Sequence, residues 1–255
     1  MSDKIMDALI LTSYFTKKRH PNDPNDSHVI GRNKDLKVDN DSFEYIQKWY
    51  DSIIVNKLKA VVFHDDLSSE FVNKYQNEFV TFVKVDDSIY SNNDYRFFCF
   101  FDYLSAIEAK PDIVFHTDAS DVVVVKNPIS LIESNSDYDL FACKDSIKIN
   151  QFPYLKVHRH FNWSDEFLFM ANYNKWDLIN MGVVGGKFQD MLEFYQKFVE
   201  IRQSAQDPDF NINMWICQYL IRCIFQNKNT LIGEPVCSEF KQYQNDRTDV
   251  YFIHK

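Results

Sequence analysis

Two aspartates stand three positions apart in the stretch VFHTDASDVVVVKNP, Val114 to Pro128: Asp118 and Asp121. Ile113 and Val114 lead into the pair and four valines follow it, so both carboxylates fall where one buried strand ends and another begins. Such a pair suits a hard divalent cation. Mg²⁺ or Mn²⁺ takes oxygen ligands and keeps positions for the phosphate oxygens of a substrate. As a Lewis acid it can then neutralise a departing diphosphate. A solvated loop with a capping aspartate fits the same residues. A second stretch, NMGVVGG (Asn180 to Gly186), places three of only five glycines within five residues. That pattern fits backbone approaching a ligand closely, or a tight strand-to-helix turn. The third is YFIHK at the end of the chain. There His254 is either an exposed terminal histidine or an imidazole ligand that tilts the choice of ion toward Mn²⁺. Arg96, in NNDYRFF, needs a partner if it is buried. Otherwise it snorkels to the surface.

The elements that would position these residues alternate. DALILTSYF reads as a first strand ending near Thr12, Ser13 and Tyr14, and a polar, breaker-rich loop follows. In SFEYIQKWYDSIIVNK, Phe43, Ile46, Trp49, Tyr50, Ile53 and Ile54 recur at helical spacing. KAVVFHDD is a second strand, SSEFVNKYQNEF a short helix and VTFVKV a third strand. NNDYRFFCFFDYLSAIEA is a helix capped near Asn93, and the strand before Asp118 is the fourth. Strand–helix alternation predicts an α/β fold with a mostly parallel sheet flanked by helices, the class in which ligands gather at the carboxyl ends of strands. Further on, DYDLFACKD reads as a strand, and the segment from Phe152 to Trp176 as an insertion. DLINMGVVGGKFQDMLEFYQKFVEIRQ is a strand or turn running into a helix, DFNINMWICQYLIRCIFQ another helix and TDVYFIHK a last strand. No repeat or linker divides the chain, so one domain is expected over 1–255, with halves at about 1–128 and 129–255.

Bulk properties narrow the function. A net charge of −9 argues against nucleic acid as the main partner. The cysteines (Cys99, Cys143, Cys217, Cys223 and Cys237) are odd in number and include no CxxC pair. Buried free thiols in a reducing compartment are the expectation, and a structural zinc site is not. The first residues lack the shape of a signal peptide, and no run approaches the ~18 apolar residues of a membrane span. A cytoplasmic location follows as the default.

Taken together and in this order, the three stretches resemble the GT-A family of nucleotide-sugar glycosyltransferases. Asp118-Ala119-Ser120-Asp121 departs from the plain DxD motif, and looks like the DSYDV variant in the glycosyltransferase domains of lysyl hydroxylases. The resemblance implies a Rossmann-like domain, a Mn²⁺ or Mg²⁺ cofactor, a UDP- or GDP-sugar donor and a hydroxyl acceptor on glycan, lipid, protein or modified nucleic acid. It implies Asp121 and His254 as metal ligands, with Asp118 on metal or donor ribose. Thr12, Ser13 and Tyr14 would hold base and ribose. Arg96 would face the diphosphate or the first aspartate, and Asn180, Gly182 and Gly185 would line the donor sugar. Many relatives carry an aspartate in a pattern like NTDMAAFNY, whereas NINMWICQY here places Asn213 there. An inverting transfer needs a carboxylate base, which Asn213 cannot be. Asp207 and Asp209 lie just upstream, and a retaining reaction would need no such base. The basic patch Thr16–His20 lies beside the implied nucleotide site. His158, Arg159, His160, Trp163 and Trp176 lie where relatives build the acceptor site. A nucleotidyltransferase would want a Gly-rich loop after the first strand, and LTSYFTKKRH has none. A GT-A-like scaffold that binds without turnover is the alternative outside enzymes.

Overall fold

The computed structural model describes residues 6–17, 40–151, 176–205, 211–240 and 244–255. In chain order the first half runs β1 (Ala8–Tyr14), α1 (Phe43–Val55), β2 (Lys59–His64), α2 (Ser69–Tyr75), β3 (Val80–Lys84), α3 (Asn92–Ala106), β4 (Ile113–Thr117) and β5 (Val122–Val124). Then follow α4 (Ile129–Ser134), β6 (Leu140–Lys148), β7 (Asp177–Lys187), α5 (Phe188–Ser204), α6 (Asn213–Tyr219) with a π turn over Leu220–Ile224, β8 (Thr230–Ile232) and β9 (Phe252–His254).

Seven strands form one sheet in the order β3-β2-β1-β4-β7-β6-β8, and β5 pairs with β9 in a separate ribbon. Six strands run parallel. β7 alone is reversed, antiparallel to both β4 and β6. This is the mixed, mostly parallel α/β sheet expected from the alternation of elements. β2 and β3 lie on one side of β1 and β4 on the other, so the carboxyl ends of β1 and β4 flank the point where the winding order changes, the crevice in which such sheets bind ligands.

The alternation of side chains along β1 explains why the strand reads as a continuous apolar run. Ala8, Ile10 and Tyr14 enter one core with Tyr45, Ile46 and Trp49 of α1 and Phe71 of α2. Leu9, Leu11 and Phe15 enter the other, with Phe97 and Phe100 of α3 and Met191, Phe194 and Phe198 of α5. A sheet covered on both faces needs apolar residues at every position. α3 begins two residues earlier than the sequence suggests: the Ser91 hydroxyl accepts the Asp94 N–H, so Ser91, not Asn93, is the cap.

The glycine stretch lies within β7 and makes no turn. Gly185 faces Phe115 and Gly186 faces Val114 in the antiparallel register. Cysteine usage also departs from expectation. Cys143 on β6 and Cys237 are joined in a disulfide, while buried Cys99 and Cys217 are free thiols. The two partners are far apart in sequence, and only the fold brings them together. No helix among the described residues is long and apolar enough to cross a membrane.

Candidate active site

Asp118, Asp121 and His254 meet where the large sheet adjoins the small ribbon. The backbone sets all three. The Asp118 N–H donates to Gly182 O at 2.8 Å, which carries the β4–β7 pairing one step beyond Thr117 and Val183. Two further bonds hold the end of β4: the Trp49 indole N–H donates to Thr117 Oγ1 (2.8 Å) and the Thr12 hydroxyl to Thr117 O (2.7 Å). Asp121 opens β5. Val122 of β5 pairs with His254 of β9, and the Lys255 N–H reaches Asp121 O at 3.0 Å. From the other side the Ser238 hydroxyl accepts the His254 N–H at 3.0 Å.

This register leaves His254 Nε2 at 3.8 Å from Asp118 Oδ2 and 3.8 Å from Asp121 Oδ2. Those separations are too long for hydrogen bonds. The imidazole is 1% exposed, yet neither of its nitrogens has a hydrogen-bond partner. A buried unsatisfied polar atom costs about 1–3 kcal/mol and calls for an explanation. One oxygen from each aspartate and one ring nitrogen, all within 4.8 Å of one another, supply it: together they are a ligand set for a divalent cation. The residues present therefore fit Mn²⁺ or Mg²⁺.

Arg96 projects from α3 into the same place. Its Nη1 pairs with Asp118 Oδ1, and its Nη2 donates to Met181 O at 3.3 Å. The guanidinium is 6% exposed, so Arg96 takes the buried, partnered form and does not snorkel. By holding one oxygen of Asp118 it turns the other toward His254. Behind it, fully buried His116 donates from Nε2 to Met181 O (3.2 Å) and accepts the Tyr195 hydroxyl at Nδ1 (2.9 Å). Burial, reinforced by the positive charge of Arg96, lowers His116 to about 3, so this imidazole is neutral. Met181 O thus serves two donors, which anchors the backbone next to Gly182.

Gly182 is needed for contact. A Cβ there would lie 2.0 Å from His254 Cε1 and 2.9 Å from Asp118 Oδ2. The other two glycines serve the sheet. A Cβ at Gly185 would meet the Phe115 ring at 2.1 Å, and one at Gly186 would meet Asp139 O at 2.4 Å. Gly185 therefore seats a core aromatic, Phe115. Asn180 accepts the Gly182 N–H at 2.8 Å and donates to Asp145 Oδ2 at 3.1 Å. Asp145 is a buried carboxylate of β6 that the sequence reading passed over, since it ends an apolar stretch that reads only as a strand.

Thr12 and Tyr14, which the resemblance implies for base and ribose, have their hydroxyls engaged within the protein. Both are fully buried, Thr12 bonded to Thr117 O and Tyr14 donating to Ser42 O at 3.1 Å. Alternation leaves half-buried Ser13 as the β1 side chain between them. Just beyond, Asp65 accepts the N–H groups of Thr16 (2.9 Å) and Lys17 (3.1 Å), and a recess no larger than a water lies between Phe15, Asp87, Tyr90 and Tyr95. Asn213 is buried at the start of α6. Its N–H bonds Asp94 Oδ1 (2.8 Å), its side chain donates to Asn93 O (3.4 Å), and its Oδ1 accepts the Met214 N–H. It is thus held against α3. The Arg222 guanidinium lies 4.8 Å over the Trp176 ring and covers one of its faces. Asp207, Asp209, His158, Arg159, His160 and Trp163 lie outside the described residues.

No family model matches the chain, and no curated protein matches it. Among solved structures, an active-site mutant of LgtC is similar over 96% of this chain and 86% of its own, with a TM-score of 0.51 at 13% identity. A structure of the galactosyltransferase LgtC with donor and acceptor sugar analogues is similar over the same shares, with a TM-score of 0.49 at 14% identity. The first likeness shows the fold, that of the GT-A glycosyltransferases.

Proposed function

We propose that a chain with the GT-A fold and a centre of two carboxylates and one imidazole is a metal-dependent glycosyltransferase, moving a sugar from a UDP- or GDP-sugar to an acceptor hydroxyl. The observation that carries this reading is the buried, unpartnered His254 ring, 3.8 Å from an oxygen of each aspartate. Asp118, Asp121 and His254 would hold Mn²⁺ or Mg²⁺, which when bound neutralises the leaving diphosphate. Arg96 orients Asp118, and the neutral His116 holds Met181 so that Gly182 stays against the centre. The nucleotide falls to the half before about residue 128, near Ser13 at the carboxyl ends of β1 and β4. Sugar and acceptor fall to the half after it, near Asn180 and Asp145. Asn213 is committed to α3 and has no carboxylate, so the transfer either retains configuration or draws its base from Asp207 or Asp209. A cytoplasmic setting rests on the sequence alone, and the Cys143–Cys237 bridge is the observation that opposes it.

Calorimetry with UDP and with GDP, each with and without Mn²⁺, tests the binding half of this reading. Incubation with nucleotide sugars and NMR of the product anomer test turnover and stereochemistry. The expected result is Mn²⁺-dependent nucleotide binding and donor turnover, both lost in Asp121→Asn with the fold intact. Binding without turnover of any donor would make the chain a sugar-nucleotide scaffold. Equal activity of Asp121→Asn and wild type would remove the metal centre from the mechanism.

A further inference from the structure

His254 has a second set of neighbours. Behind the ring lie Cys143 and Cys237, both fully buried, with their Cα atoms 5.3 Å apart. The two sulfurs and a His254 ring nitrogen lie within 4.8 Å of one another, and no hydrogen bond holds either ring nitrogen. One imidazole therefore stands between two oxygen donors and two sulfur donors. The surrounding backbone keeps it there. Cys237 bridges to Phe252, the Ser238 N–H donates to Phe252 O at 3.0 Å, and the Phe240 ring packs on His254 with centroids 4.3 Å apart.

We propose that Cys143, Cys237 and His254 form a second metal site, soft in character, that exists only when their disulfide is reduced and competes with Asp118 and Asp121 for the same imidazole. The sequence argues against zinc because it has no CxxC pair; for Cys143 and Cys237 the fold supplies the proximity. Oxidised sulfur is no thiolate and leaves the ring to the carboxylates, whose oxygens suit Mn²⁺ or Mg²⁺. Reduction takes two electrons from a thiol or phosphine, breaks the S–S bond and forms two thiols with two protons from water. Zn²⁺ then displaces both thiol protons to solvent and bonds two thiolates and one imidazole, the soft and borderline donors it favours. Both ions draw on the one His254 ring, so Zn²⁺ at the sulfurs weakens the hold of Asp118, Asp121 and His254 on the hard ion. This competition rests on the reading of Asp118, Asp121 and His254 as the hard centre.

Cobalt reports the soft site directly, because thiolate ligation gives a sulfur-to-cobalt charge-transfer band. The full chain is reduced anaerobically with a phosphine, titrated with Co²⁺ and then back-titrated with Zn²⁺, beside an untreated sample. The expected result is a thiolate band in the reduced protein alone, displaced by Zn²⁺, lost in Cys143→Ser and in Cys237→Ser, and altered in His254→Ala. Mn²⁺ binding, read by electron paramagnetic resonance, should weaken at least about tenfold when the reduced protein carries Zn²⁺. The comparison of oxidised with reduced wild type needs no substitution, so a misfolded variant does not leave the matter open. No thiolate band after reduction overturns the proposal, as does a band that survives Cys143→Ser or is unchanged by His254→Ala. Failure of the oxidised protein to bind Mn²⁺ would instead remove the hard centre and the competition with it, while the cobalt band still decides whether the soft site exists.

Discussion

A methyl group at position 182 would occupy the place of the His254 imidazole edge. Gly182→Ala must push the ring aside or shift β7, and the Asp118 N–H bond to Gly182 O ties β7 to β4. Displacing a metal ligand without removing it weakens affinity by about 10–100-fold. Gly182→Ala should therefore raise the Mn²⁺ requirement by that order, as His254→Ala does, while the melting temperature of the metal-free protein changes little. A Mn²⁺ titration of both variants checks this, and Gly185→Ala is the contrast. A Cβ there collides with Phe115, so the loss should appear as stability, about 1–3 kcal/mol for overpacking, in urea denaturation. Residue types singled out Asp118, Asp121 and His254, and the fold brings the three together. Residue types were not enough to sort the three glycines. Whether a missing Cβ makes room for a ligand, a ring or a carbonyl depends on the strand opposite, which the local sequence does not contain. Thr12 and Tyr14 show the same limit: alternation separates them from Ser13 but does not say which set faces the crevice.

At the scale of elements, α3 ties the cluster of Asp118, Asp121 and His254 to α5 and α6. Two residues before Arg96, Asp94 makes a buried ion pair with Arg202 of α5 at 2.6 Å and accepts the N–H groups of Ile212 and Asn213 at the start of α6. Burial pushes the Asp94 carboxyl up to about 6 even against the pull of Arg202, so the pair holds three helices together at a desolvation cost. Removing one member of such a pair leaves the other charge buried and destabilises by about 3–5 kcal/mol, whereas replacing both with apolar residues is often neutral. Asp94→Ala should show that loss in urea denaturation, and Asp94→Leu with Arg202→Met should recover most of it. A single-mutant loss below about 1 kcal/mol would mean the pair is not the clamp. Every helix but α4, and most strands, were legible from periodicity. The reversed direction of β7 was not, because a strand buried on both faces reads the same either way. Nor was the clamp, since Asp94 and Arg202 each look like an ordinary surface charge on an amphipathic helix.

For the molecule as a whole, the α/β class and the carboxyl-end location of the site followed from strand–helix alternation, while the Cys143–Cys237 bridge and the β5–β9 ribbon join segments whose proximity only the folded chain reveals. The ribbon also bears on the order in which the protein acquires its parts. β2 and β3 pair close in sequence, but Val122 must find His254 across just over half the chain, farther than any pairing within the large sheet. Closing so long a loop carries an entropy cost that nearby contacts must already have offset. A two-stranded ribbon is marginal by itself and has to form against a finished surface. Refolding should therefore pass through a stage with the large sheet built and the imidazole still absent from the carboxylates. In stopped-flow refolding of the reduced chain with zinc excluded, where no bridge shortens that loop, far-UV circular dichroism should recover first and Mn²⁺ binding in a separate, slower phase. A His254→Ala chain should keep the first phase and lack the second. Coincident phases would place the ribbon in the earliest structure to form, and the metal centre would then be among the first features of the fold to mature.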